Sequence, residues 1–157
     1  MQTQTFDILK NVKEINDLHN DLIAYEFYRV HKKWFTDYSH LYSKKATELI
    51  EKGKKISSSQ KEEILAHKKR LTKRITDFTL KEDIDLWLMP ATTSVAPKGL
   101  SSTGNPIMNL PWTFFGFPVI SIPVGFINGL LWAVQAVDLS DQDEKLLKKV
   151  EFLINRV

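Results

Sequence analysis

Few side chains in this sequence are spaced for chemistry. Ser57-Ser58-Ser59 is the first cluster that suggests it. A serine attacks a carbonyl only when a positioned base takes its proton, and no base is spaced beside this run. Ser59 with Glu62, ahead of an apolar stretch, reads instead as a capping box that opens a helix. Ser101-Ser102-Thr103-Gly104 is the second cluster. It too lacks a partnered base, and hydroxyls in such a loop bond to backbone. His19, His31, His40 and His67 form neither His-x-x-x-His nor His-Glu-x-x-His, so they read as helix-surface or interface residues and no metal site is expected. Asp83 and Asp85 flank a strand start and read as solvated edge residues, not as a general acid/base pair. Between Lys44 and Arg74 there are 11 Lys+Arg against four Glu. These charges are spread over two helices and a loop with few aromatics between them. They therefore read as solvated helix faces, and a nucleic-acid partner is not expected.

Composition narrows the classes further. With 157 residues, 43% hydrophobic and 26% charged, the chain can bury a core and is not a disordered segment. There is no cysteine, which excludes disulfides, thiol catalysis and iron–sulfur clusters. No apolar run approaches the length of a membrane span, and Met1-Gln-Thr-Gln-Thr-Phe-Asp7 has no signal-peptide pattern. The expected setting is cytoplasmic, without a membrane partner and without a cofactor.

The chain has two textures. All six prolines fall between Pro90 and Pro123, and five of the six glycines lie at or after Gly99. Helices exclude both residues from their interiors, so the first half should be helical and the second should hold strands and a shaped loop. Val12, Ile15, Leu18, Leu22 and Tyr25 recur at helical steps and predict a helix from about Asp7 to Phe35, with room for a break. A second helix is expected over 43–52, with Gly53 as its C′ residue. A third opens at Ser59 and buries Ile64, Leu65, Leu71, Ile75 and Phe78. Strands are expected over 84–89, 117–124 and 130–137, the last two joined through the hairpin turn Asn128-Gly129. Their apolar runs do not alternate, which predicts cover on both faces. Asp141 or Asp143 should cap a last helix carrying Leu146, Leu147, Val150, Leu153 and Ile154. Three such strands leave two open edges, and open edges invite self-association, as a dimer or larger species.

The wording of the second half resembles the amidase signature family of C–N hydrolases. The phrases are Ile84-Asp-Leu-Trp-Leu-Met-Pro-Ala-Thr92, Ala96-Pro-Lys-Gly99, Ser102-Thr-Gly-Asn-Pro106, Asn109-Leu-Pro-Trp-Thr113, Gly116-Phe-Pro-Val-Ile-Ser-Ile-Pro-Val-Gly125 and Gly129-Leu-Leu-Trp-Ala-Val-Gln135. They follow one another in the family's order. Ile23-Ala-Tyr-Glu26 and Leu49-Ile-Glu-Lys-Gly53, followed by a long helix with Arg70, fit as well. Leu131 and Ala133 depart from it, standing where the family usually has proline and glycine.

The resemblance implies the C-terminal portion of such a hydrolase, whose reaction is carboxamide hydrolysis through an acyl-enzyme. It also implies that the family's two serines and buried lysine are not among these residues, so no catalytic residue is assigned here. By the same resemblance, Thr103, Gly104, Asn109, Trp112 and Thr113 would form one wall of a substrate pocket; Trp112 is expected to open to a cleft because its loop is proline-bounded and polar. The expected architecture is a single α/β domain, a fragment of the amidase signature fold: a helical layer over 1–82 packed on a small mixed sheet, strands and pocket loop over 83–138, and a C-terminal helix over 139–157. The expected partner is an N-terminal amidase half, or a second copy through the open edges. The alternative is a non-catalytic binding or structural remnant of an amidase.

Overall fold

The computed structural model describes residues 3–7, 9 and 11–155. Helix α1 spans Val12–Tyr38 and is followed by a short 3-10 turn, Ser39–Leu41. Helices α2 (Lys44–Lys54) and α3 (Ser58–Lys81) come next. Strand β1 (Trp87–Pro90) leads through a long loop and a 3-10 turn, Pro106–Met108, into the short helix α4 (Leu110–Phe115). Strands β2 (Val119–Ile127) and β3 (Leu130–Val137) and helix α5 (Asp143–Ile154) complete the chain. The α/β class, the helical first half and the closing helix are as expected. Residues up to Arg70 and residues from Leu71 onward form two compact units, and α3 runs through the boundary.

In the first unit α1 buries Ile15, His19, Leu22 and Tyr25 along one stripe, the face that the apolar spacing predicts. It begins at Val12, not near Asp7, and continues past Phe35 without a break. Ser43 caps α2, its Oγ accepting the Ala46 N–H at 3.3 Å. Gly53 does not end that helix. It lies inside α2 where the helix meets α1, and a Cβ there would overlap the Ala24 carbonyl and lie 2.8 Å from the Tyr28 Cβ. Lys52 and Asp21 pair at 2.7 Å across the same two helices. The capping box of α3 sits two residues earlier than Ser59. The Ser57 N–H donates to Gln60 Oε1 at 2.8 Å, and the Gln60 N–H donates to Ser57 Oγ at 3.1 Å.

In the second unit the sheet has three strands in the order β1-β3-β2, and both pairings are antiparallel where a mixed sheet was expected. β1 starts later than 84, because Ile84 is still spent on leaving α3: its N–H bonds to the Thr79 carbonyl at 3.0 Å, and Asp83 beside it has φ 52°. β3 keeps the expected bounds, and β2 lies two to three residues further along than expected. The turn between them has φ 52° at Asn128 and 77° at Gly129, the type I′ geometry that favours this dipeptide. On one face Ala136, Leu146 and Val150 form a buried cluster with Leu86, Ile120 and Ile122 packed against it. Cover on both faces holds at Gln135–Val137, but the far end of the hairpin is exposed.

Helix α5 takes Gln142 as its N-cap residue, and neither Asp141 nor Asp143 caps it through a side chain. Asp141 instead occupies a left-handed turn at φ 61°, while Asp143 and Glu144 lie in the first helical turn, where the macrodipole favours them. Lys149 on α5 reaches back to Asp138 Oδ2 at 2.6 Å and to the Asp85 carbonyl at 2.8 Å. Asp138 is 5% exposed, and Lys149 is its ion-pair partner.

Two outcomes follow. Gly53→Ala should destabilise the protein by about 2–3 kcal/mol, the cost of overpacking where both contacts are backbone or Cβ atoms; denaturant unfolding reads it. Lys149→Met should cost about 2 kcal/mol, less than for a fully buried pair because the lysine is partly exposed. An unchanged midpoint in that variant would show that Asp138 needs no cation.

Candidate functional site

The loop after β1 is built from small hydroxyl residues, glycine and proline, and it turns on their side chains. Thr92 Oγ1 donates to the Ser94 carbonyl at 2.7 Å. Ser102 Oγ accepts the Gly104 N–H at 3.1 Å, with Gly104 at φ 98°, a conformation that costs a residue with a Cβ. Ser102 therefore shapes the loop, as a hydroxyl there was expected to do. Asn105 Oδ1 accepts the Ile107 N–H at 3.0 Å and caps the 3-10 turn. Thr113 Oγ1 donates to the Asn109 carbonyl at 3.1 Å, one turn back. Helix α4 ends at Gly116, φ 77°, where the Phe117 N–H bonds the Trp112 carbonyl at 3.0 Å.

Two side chains fasten this segment to the sheet. Trp112 Nε1 donates to Met89 Sδ at 3.0 Å, tying α4 to β1. Gln135 Nε2 donates to the Met108 carbonyl at 2.9 Å, tying the 3-10 turn to β3. Gln135 Oε1 is buried and has no hydrogen-bond partner among the described residues. Trp112 stacks on Phe117 and meets the edge of Phe115, both at 6.3 Å, and Phe114 packs on Phe115; all four are buried.

The residues expected to line a wall thus divide. Thr103, Gly104, Asn109 and Thr113 are exposed, and Asn109 and Thr113 share one face of α4. Trp112 is 1% exposed and does not open to a cleft. Its bond to Met89 anchors α4, beside Asn109 and Thr113, to the sheet. The sequence reading missed Met89 and Gln135 as anchors. The signal for Gln135 was a single amide in the apolar run 130–137. Leu131 and Ala133 leave the hairpin register intact, opposite Phe126 and Pro123, with a bulge between Pro123 and Gly125.

The other chemistry-bearing groups lie elsewhere. Ser57 is spent as a cap. His31 Nδ1 lies 2.9 Å from the Tyr42 hydroxyl, its ring stacked on Phe27 at 4.1 Å. His67 lies 3.9 Å from Glu14. Among the described residues no three His, Asp or Glu side chains gather as metal ligands, and no helix is long and apolar enough to cross a membrane. His19 is buried on α1. Burial, and then the Lys68 charge, push its pKa below the usual histidine value.

No protein-family profile matches the sequence, and no curated protein matches it. Solved structures do match. The crystal structure of an amidase superimposes with a TM-score of 0.80 at 20% identity, covering 93% of this chain and 36% of the amidase. A bacterial aryl acylamidase of the amidase signature family gives 0.64 at 16% identity, covering 89% and 32%. A 6-aminohexanoate cyclic dimer hydrolase, solved with substrate, gives 0.58 at 14%, covering 83% and 33%. This chain has the fold of part of the amidase signature enzymes and spans about a third of their length.

Folded His19 binds its proton more weakly than unfolded His19. Its neutral form therefore supports the fold fully above pH about 6.5, and stability falls as pH drops below that value until the depressed folded pKa is passed. Unfolding free energies between pH 7.5 and 5 should decline in the wild type, by at most about 1.4 kcal/mol per pH unit from this group. His19→Gln should flatten the decline. An equal slope in both proteins would remove His19 from the account.

Proposed function

We propose that this chain is the wall-forming portion of an amide hydrolase of the amidase signature type, and that the nucleophilic serine and its base come from outside these residues. The observation that carries the reading is the superposition of nearly the whole chain on about a third of an amidase. The ordered phrases from Ile84 to Gln135 support it. In the completed enzyme the serine oxygen bonds to the carboxamide carbon and the amine leaves with a proton. Water then attacks the ester, releasing the acid and restoring the hydroxyl.

This chain's share is shape and hydrogen bonding on the acyl side. The hydroxyls of Thr103 and Thr113 and the amide of Asn109 are accessible, and Gly104 lets a substrate approach the backbone closely. Trp112 and Gln135 anchor to the sheet the segment that carries Asn109 and Thr113. None of them breaks the bond.

The purified chain alone should hydrolyse no simple aryl amide. Mixed with the part of the matched amidase that it does not cover, it should restore release of the amine. In that mixture Asn109→Ala should lower turnover about tenfold, the worth of about one hydrogen bond. Robust turnover by the chain alone would sink the reading. Stable association that never yields turnover would leave the chain as a non-catalytic binding module.

A further inference from the structure

Helix α1 carries a second apolar stripe besides the one it buries. Ile23, Phe27, Val30 and Trp34 recur at steps of four, three and four, the spacing of a seam that meets another helix. Ile23 is 39% exposed, Val30 62% and Trp34 54%, and Phe27 is half-buried. The two rings of the stripe are held in place. Phe27 stacks on His31 at 4.1 Å, and Trp34 meets the edge of the same imidazole at 5.5 Å. Asn20 and Asp37, both exposed, continue the seam at either end and make it polar there.

The charges beside the seam identify what it fits. Glu26 and Lys33 lie on one flank, one heptad apart, and both are exposed. Among the described residues no ion pair within the chain uses either of them. Opposite signs along one flank suit neither an anionic membrane nor a nucleic acid, which attract cations alone. They suit a helix that carries the same two charges in the reverse direction.

In an antiparallel helix pair each a position faces a d position, and each g position faces a g position. Here Phe27 and Trp34 take a, and Ile23 and Val30 take d. Ile23 of one copy then faces Trp34 of the other, and Phe27 faces Val30, each contact occurring twice about a two-fold axis. The same register sets Glu26 against Lys33, again twice, and closes both ends with Asn20 against Asp37. Sliding the copies by one heptad sets Lys33 against Lys33 in one direction and Glu26 against Glu26 in the other, and like-charge repulsion opposes both. A parallel pair would leave Lys33 opposite Tyr38, without a carboxylate.

We propose that two copies of this chain pair antiparallel along α1, through Ile23, Phe27, Val30 and Trp34, with Glu26 and Lys33 fixing the register. Self-association then belongs to α1 and not to the open sheet edges, where the sequence alone placed it. The pairing stands independently of the amidase function proposed above. The contact spans about three helical turns of each copy, at the small end of specific interfaces, so the dimer forms reversibly with chain concentration.

Sedimentation equilibrium of the full chain from about 5 to about 500 μM tests this. The wild type should pass from monomer to dimer within that range. Lys33→Glu and Glu26→Lys, each checked as folded by circular dichroism, should each weaken dimerisation at least tenfold, because each brings like charges together at two places. The Glu26 charge also acts on Lys61 within the chain, so rescue carries the test. Mixed in equal amounts, the two variants should form a dimer within about threefold of wild-type strength, since each reversed charge then meets an opposite one. A single chain carrying both reversals should dimerise equally well. A wild type that stays monomeric throughout would overturn the inference. So would single reversals that leave the dimer undiminished, which would place the contact elsewhere, or a mixture no stronger than either variant alone.

Discussion

Strand β3 carries the geometric constraint of the second unit. It is the middle strand, bonded to β1 on one side and to β2 on the other, and its alternation sends neighbouring side chains to opposite faces. Gln135 points to the 3-10 turn and holds Met108, while Ala136 points into the cluster with Leu146 and Val150. One strand thus positions both the 3-10 turn and helix α5. A slip of one residue would turn the amide of Gln135 into the apolar cluster and Ala136 toward the turn. The I′ turn at Asn128-Gly129 opposes that slip, because its two positive φ values are met by the two residues that adopt them most readily.

The segment from the 3-10 turn through α4 is therefore anchored to the sheet at two points. Asn109 and Thr113 flank Trp112 on this segment, and Trp112 bonds Met89 of β1. The hydroxyls of Thr92, Ser102 and Thr113 bond to backbone a few residues away, so the local turns form without help from distant parts of the chain.

The elements themselves were legible because their signals are local. The apolar stripe of α1, the hairpin dipeptide and the concentration of proline after residue 89 each act within a few residues. Errors arose where a local rule had two solutions. Ser57-Ser58-Ser59 ahead of Gln60-Lys61-Glu62 offers two capping boxes in overlapping registers, and the rule that names them does not choose between them. Gly53 fits equally a helix end and a close helix contact, and the deciding atom is the Ala24 carbonyl, almost thirty residues away. Trp112 looked open to a cleft because its neighbours in sequence are polar and proline-rich. Its partner Met89 is 23 residues earlier, beyond the reach of any pattern read along the chain. At Thr103, Gly104, Asn109 and Thr113 the loop character was readable and the support beneath was not.

The exposed hairpin sets a conflict that the sequence resolves in a specific way. Burying side chains the size of Phe126 and Leu131 is worth about 1.5–3 kcal/mol each, so leaving them in water forgoes stability that a charged or polar residue would not have offered in the first place. A surface of that kind on open strands tends to aggregate through its edges, because unpaired N–H and C=O groups accept any extended chain. Here Pro90 on β1 and Pro123 on β2, opposite Val134 and Ala133 of β3, each lack the N–H that such pairing would use at that position. Backbone pairing accepts almost any sequence, whereas packing against a shaped apolar face demands a complementary one.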